Sequence, residues 1–119
     1  MIVYHASPHL FAKPDLMQMA AHRTNHPNGG LGLWVANDPS WIRGFGDFLY
    51  EILFEGSSVS VPVSELASWG PDLDYGAKRN ELLLGSDYLE VLEADGISRM
   101  GVILALDKIT SLTLIQRSV

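Results

Sequence analysis

Short runs of β-branched and aromatic residues, each broken by turn formers, set the rhythm of this chain. Ile2 to His5 is the first such run and predicts a strand ended by Ser7 and Pro8. Pro14 to Ala21, which carries Met17 and Met19, has the composition of a helix. His22 to Gly30, "HRTNHPNGG", is polar and dense in turn formers, and predicts a long loop. Leu33 to Ala36 predicts a second strand. Asn37 or Asp38 as a cap, with Pro39 in the first turn, predicts a short helix over Pro39 to Gly44. Phe48 to Phe54 alternates enough to bury one face and predicts a third strand. Ser58 to Val63 extends the β-rich region, and Ser64 to Trp69 starts like a capped turn of helix. "GPDLDYGAKRN", residues 70–80, predicts a further loop. Ser86 to Ala94 predicts a helix stopped by Asp95-Gly96. Val102 to Leu106 and Ser111 to Ile115 predict closing strands joined by "DKIT".

Strands separated by short helices, without the regular spacing of βαβ units, predict an α+β domain with a split, mostly antiparallel sheet. The 119 residues, 47% of them hydrophobic, are enough for one domain over residues 1–119 to bury a core. The longest apolar runs, such as Gly101 to Leu106, fall far short of the roughly 20 residues that cross a bilayer. Met1 to His5 lacks the basic flank and apolar stretch of a signal peptide. Without cysteine there is no disulfide and no thiolate zinc site. These features lead to the expectation of a cytoplasmic protein with no membrane partner. The formal charge of −6, from 14 acidic and 8 basic residues, repels phosphate backbones on average. Nucleic acid is then expected as a locally presented substrate, if at all.

Glycine is concentrated around one leucine in "GGLGLWVANDPSWIRGFGD", residues 29–47. Gly29, Gly30 and Gly32 let the backbone turn tightly or approach a flat surface closely. The stretch matches neither a P-loop, which needs Lys and Ser or Thr after its last glycine, nor the G-x-G-x-x-G dinucleotide fingerprint.

Several short motifs in one order do match a known pattern. "VYHAS" at 3–7 places a tyrosine-histidine pair before two small residues. "GLWVANDPSWIRGFG" at 32–46 places a Gly-Leu-aromatic strand before an Asp-Pro helix and a Phe-Gly ending. "FLYEILFEG" at 48–56 and "EADGISRMGVILALDKITSL" at 93–112 follow. In this sequence the chain resembles the ADP-ribosyltransferase-like domains of the diphtheria-toxin and poly(ADP-ribose) polymerase type, in their small bacterial and phage forms. The resemblance runs over almost the whole chain. It implies the split sheet of that family, NAD as substrate, and ADP-ribose transfer to a protein or nucleic acid, or cleavage of NAD. By resemblance His5 hydrogen-bonds a ribose hydroxyl, the backbone of Ala6 pairs with the carboxamide, and Ser7 adds a polar contact. Gly32 and Leu33 lead into Trp34, whose ring stacks on nicotinamide in place of the usual tyrosine, and Phe45 supplies a second wall.

Cleaving the nicotinamide–ribose bond passes through an oxocarbenium-like state, so a carboxylate beside the ribose is expected. The family places a glutamate at or just before the late strand, where this chain has Arg99, Met100 and Gly101. Glu81 in "RNELLLG" enters the site if that segment is a strand, and it is the catalytic candidate alongside His5 and Trp34. Glu90 and Glu93 fall in the predicted helix and read as surface residues.

The same residues have plainer readings. A strand histidine is often a packed, hydrogen-bonded residue, and Trp34 and Trp41 are apolar enough to be core. His22 and His26, with His9 upstream, lie in a loop without supporting carboxylates, so no metal site is assigned. "PDLDYG" at 71–76 reads as a solvated loop. The rivals to the transferase are a degenerate binding module of the same fold, recognising NAD, ADP-ribose or a protein partner, and an RNA 2′-phosphotransferase. The latter needs several basic site residues, and Arg23, Arg43 and Arg79 are few. A purely structural or inhibitory protein is the last. Oligomeric state has no signature in the chain.

Overall fold

The computed structural model describes residues 1–7, 31–42 and 48–117. Within them the chain forms β1 (Ile2–Ser7), β2 (Leu33–Ala36), a 3-10 turn (Pro39–Ile42), β3 (Phe48–Phe54) and β4 (Ser58–Pro62). Two short helices follow, α1 (Val63–Ser68) and α2 (Tyr75–Leu83). The chain ends with β5 (Tyr88–Leu92), β6 (Ser98–Ile103), a second 3-10 turn (Leu106–Lys108) and β7 (Ile109–Arg117). The strands make one seven-stranded sheet in the order β4-β5-β6-β2-β1-β3-β7. Every neighbouring pair is antiparallel except β4 and β5, which run parallel because both helices intervene between them. This is the mixed α+β, mostly antiparallel architecture expected from the strand and helix pattern.

The two faces of the sheet carry separate cores. On one, Val3, Leu33, Val35, Ile52, Phe54 and Ile103 pack together with Tyr88. On the other, Leu31, Leu89, Val102 and Leu104 pack under α1 and α2 through Tyr75, Leu66 and Leu82, with Trp34 at the margin. Leu33 and Trp34, adjacent in β2, therefore project to opposite faces, as strand alternation requires.

β2 and β3 have the expected bounds, and β1 continues past His5 to Ser7. The helix expected over 14–21 and the loop over 22–30 lie outside the described residues, and of the short helix over 39–44 the described part is a 3-10 turn. β4 ends at Pro62, and α1 starts one residue earlier than expected, with Pro62 at its N-cap and no side-chain cap.

Three expectations need correction. Residues 75–83, expected partly as loop, are helical because Asp74 acts as an N-cap: its carboxylate accepts from the Ala77 amide at 3.0 Å. Residues 88–92, expected within a helix, are strand β5. Tyr88, Leu89 and Val91 are all buried because both faces of the sheet are covered there, so the alternation that marks a strand is lost. Asp95-Gly96 is then not a helix stop but the turn of the β5–β6 hairpin, with Gly96 at φ +80° and its amide on the Glu93 carbonyl at 2.8 Å. Finally, the strand expected over 102–106 starts at Ser98 and ends at Ile103, and the one expected over 111–115 lies inside the longer β7.

Candidate functional site

The middle of the sheet is its weakest seam. All six residues of β1 register with β3, and all four of β2 register with β6. Between β1 and β2 the ladder registers one pair, Tyr4 with Ala36. The sheet is thus two well-knit parts, β4-β5-β6-β2 and β1-β3-β7, joined at one register pair.

His5 stands just past that pair. Its Nδ1 lies 2.7 Å from the carbonyl oxygen of Trp34. A carbonyl only accepts, so Nδ1 carries the proton, and in the neutral ring Nε2 is left as the nitrogen with the lone pair. An imidazole side chain takes over where backbone pairing between β1 and β2 stops. His5 belongs to the row of β1 that contains Val3 and Ser7, and it registers with the buried Tyr50 of β3. Ser7 is buried at the end of the strand, and Ala6 is half-buried between them.

Trp34 meets His5 through its backbone, while its half-buried ring packs toward the second core. Side chains from the two residues leave the sheet on opposite faces and share only the seam. Leu33 is fully buried in the first core, and its side chain is packing. Gly32 has a steric reason to be glycine: its φ is +154°, and a Cβ there would collide with the Ile103 carbonyl and with Val102 Cγ1. Phe45, the expected second wall, lies outside the described residues, as do His9, His22, His26, Arg23 and Arg43.

Glu81 does not sit on a strand. It lies on α2 with its side chain 68% exposed, 3.5 Å from Lys78 one turn earlier. Arg79, one of the few basic candidates, donates from Nη2 to the Leu104 carbonyl at 2.5 Å and so ties α2 to the end of β6. Asp87 holds a loop together: its carboxylate accepts from the Ser57 amide at 3.0 Å, and its carbonyl accepts from the Leu104 and Ala105 amides.

Glu90 is the acidic residue whose place the sequence reading missed. It lies on β5 directly opposite Gly101 of β6, and Gly101 in turn registers with Val35 of β2. The ring of Tyr88 covers Gly101, so a Cβ at position 101 would strike the phenol. Tyr88 is 1% exposed and its hydroxyl has no hydrogen-bond partner. Burial first, and the neighbouring Glu90 charge second, push its pKa up to about 12. The signal in the sequence was the segment "YLEVL", apolar and β-prone, with the glutamate alone among its five residues in being charged.

At the other end of β2 a surface cluster forms. Arg99 bonds Asp95 at 2.8 Å and lies 5.1 Å over the exposed ring of Trp41. The Arg99 hydrogen bond holds the Asp95 carboxyl below its ordinary range, and Asp95 correspondingly raises Arg99. Among the described residues no helix is long and apolar enough to cross a membrane. The chain matches no family model, no curated protein and no solved structure to which it was compared.

Proposed function

We propose that this protein binds NAD at the β1–β2 seam and transfers its ADP-ribose to a protein or nucleic acid, or cleaves NAD, in the manner of the ADP-ribosyltransferase-like domains that its motifs resemble. The observation that carries the reading is the His5 Nδ1–Trp34 carbonyl hydrogen bond beside a sheet junction of one register pair. That bond places the proton of the neutral imidazole on Nδ1 and holds the ring at the β1–β2 junction, where the resemblance has it beside the ribose. Ala6, half-buried one residue after His5, is the residue whose backbone the resemblance pairs with the carboxamide. Trp34 is half-buried and carries its indole, the proposed stacking surface for nicotinamide, on the face opposite to His5. The net charge of −6 makes a specific, locally presented acceptor more suitable than a nonspecific grip on nucleic acid.

A tryptophan fluorescence titration with NAD tests this. The expected outcome is saturable quenching that Trp34→Ala largely removes. His5→Ala should weaken NAD binding by about 1 to 3 kcal/mol, the scale of a lost polar partner. Unchanged quenching in Trp34→Ala removes that residue from the site, and unchanged affinity with a large fall in melting temperature makes His5 a purely structural residue. A second reading, a binding module without turnover that recognises NAD, ADP-ribose or a protein partner, is favoured by one observation: Glu81 lies on the exposed side of α2, paired with Lys78. It is distinguished by NAD binding without release of nicotinamide.

A further inference from the structure

We propose that β7, at the end of the sheet, pairs antiparallel with β7 of a second copy of this chain, so that two seven-stranded sheets become one. This inference is independent of the NAD reading.

The sheet has two edges, and the chain guards them differently. β4 is five residues long, ends in Pro62, which has no amide to donate, and leads straight into α1. β7 runs over nine residues, Ile109–Arg117, and its neighbour in the sheet is β3 on one side alone. No residue from Ile109 to Ile115 is charged or proline, the two residue types that commonly keep an edge strand from pairing. Thr110 and Thr113 are exposed, and Ile115 is 46% exposed. The two register shifts of β7 against β3 fall at Thr110 and Ile115, so they flank a regular stretch, Ser111 to Leu114.

Charge selects the occupant. The molecule carries a net charge of −6, so two copies repel one another on most approaches. Along Ile109 to Ile115 no charged side chain takes part in that repulsion. The nearest acidic residue in the register is Glu51 of β3, opposite Thr113. In the joined sheet Glu51 and its counterpart are three strand spacings apart, roughly 14 Å, which exceeds the Debye length of about 8 Å at physiological salt. A foreign strand would be singled out by charge or by side-chain pockets, and β7 presents no charge to select one. What it matches is itself.

A two-fold axis through Leu112, midway along Ile109 to Ile115, keeps each face of the sheet continuous across the join. It sets Leu112 against itself, Ser111 opposite the partner's Thr113, and Thr110 opposite the partner's Leu114. Apolar and hydroxyl cross-strand pairs of this kind are favourable. Leu112 and Leu114 are half-buried in one copy, and Leu112 packs at the margin of the first core. A second copy covers their open side and gives the outward backbone groups of β7 strand partners in place of water. β1 lies two strands in from this edge, so the β1–β2 seam stays clear of the join.

The test is sedimentation of the full chain over a concentration series, beside hydrogen exchange. The parent should be a dimer at about 100 μM and dissociate on dilution. Those β7 amides that are not bonded to β3 should exchange more slowly at the higher concentration. Ser111→Glu sets two carboxylates roughly 8 Å apart across the axis and should weaken the dimer at least about tenfold. Salt at about 0.5 M should restore part of that loss. Ser111→Lys should weaken the dimer likewise, and an equimolar mixture of the two variants should associate more tightly than either alone. Ser60→Lys, on the β4 edge, should match the parent. A parent that is monomeric at about 100 μM overturns the proposal. So does a dimer that withstands both Ser111 substitutions. A dimer whose β7 amides exchange alike at high and low concentration overturns it too, and that result is readable even if neither Ser111 variant folds.

Discussion

Tyr88 carries a cost that its neighbours do not remove. Its ring fills the space over Gly101 and packs against Phe54 at 5.6 Å between centroids, yet its hydroxyl is buried without a partner. An unsatisfied buried polar group costs about 1 to 3 kcal/mol, whereas the ring contributes through burial whether or not it bears oxygen. Tyr88→Phe should therefore raise stability by about 1 kcal/mol, read as a higher denaturation midpoint with an unchanged slope. The same residue sets an alkaline limit. Its folded pKa, about 12, lies above the ordinary 10.0. Its contribution is then fully present below pH 10 and is lost as the pH rises toward 12, while the unfolded chain ionises first. Tyr88→Phe should flatten that part of the stability curve, and a curve that stays parallel to the parent's would show that another group sets it.

Among the elements, α2 is the one held by identifiable local devices. Asp74 caps its first turn, the Tyr75 hydroxyl bonds the Gly70 carbonyl at 2.5 Å, and Arg79 reaches across to the Leu104 carbonyl. Helix α1 has no side-chain cap and no fully buried residue. Loss of the Asp74 cap should cost about 1 kcal/mol in Asp74→Ala, with NAD affinity unchanged because the cap bonds only the Ala77 amide of its own helix. A loss of NAD affinity in that variant would place α2 within the site. The contrast between α2 and β5 also explains why the elements around them are misread from sequence. "PDLDYG" has turn chemistry whose aspartate starts a helix, and "YLEVL" has continuous apolar character whose strand is covered on both faces.

At the scale of the molecule, the sheet is two parts, β4-β5-β6-β2 and β1-β3-β7, with a junction of one register pair and a histidine bond. Ladders with many mutual hydrogen bonds open only with global unfolding, whereas a sparse junction opens locally at lower free energy. In hydrogen exchange the amides of β1 paired to β3 and of β5 paired to β6 should therefore be the slowest. Those of β2 that face β1 should exchange faster, and NAD should slow them selectively. Equal protection across the junction, with or without NAD, would remove the seam as a site of opening and of binding. The Arg99 cluster adjoins this junction, since Asn37, the residue after Ala36, donates its amide to the Arg99 carbonyl at 2.9 Å.

Sequence by itself determined the elements whose signals are local. β2 and β3 alternate strongly and are bounded by turn formers, and their bounds are those the pattern predicts. Gly32 was legible as a position of close backbone approach, and His5 and Trp34 as strand residues. Tertiary structure alone decided the quantities that depend on partners distant in the chain. The order of the strands brings His5 to the Trp34 carbonyl, 29 residues away, and sets Glu90 opposite Gly101. It also takes Glu81 away from the strands, by winding its segment into a helix whose outer side meets solvent. Side-chain periodicity records which face a residue takes within its own element. It holds no record of which element lies beside it, and that neighbour is what sets a carboxylate opposite a glycine or leaves it in solvent.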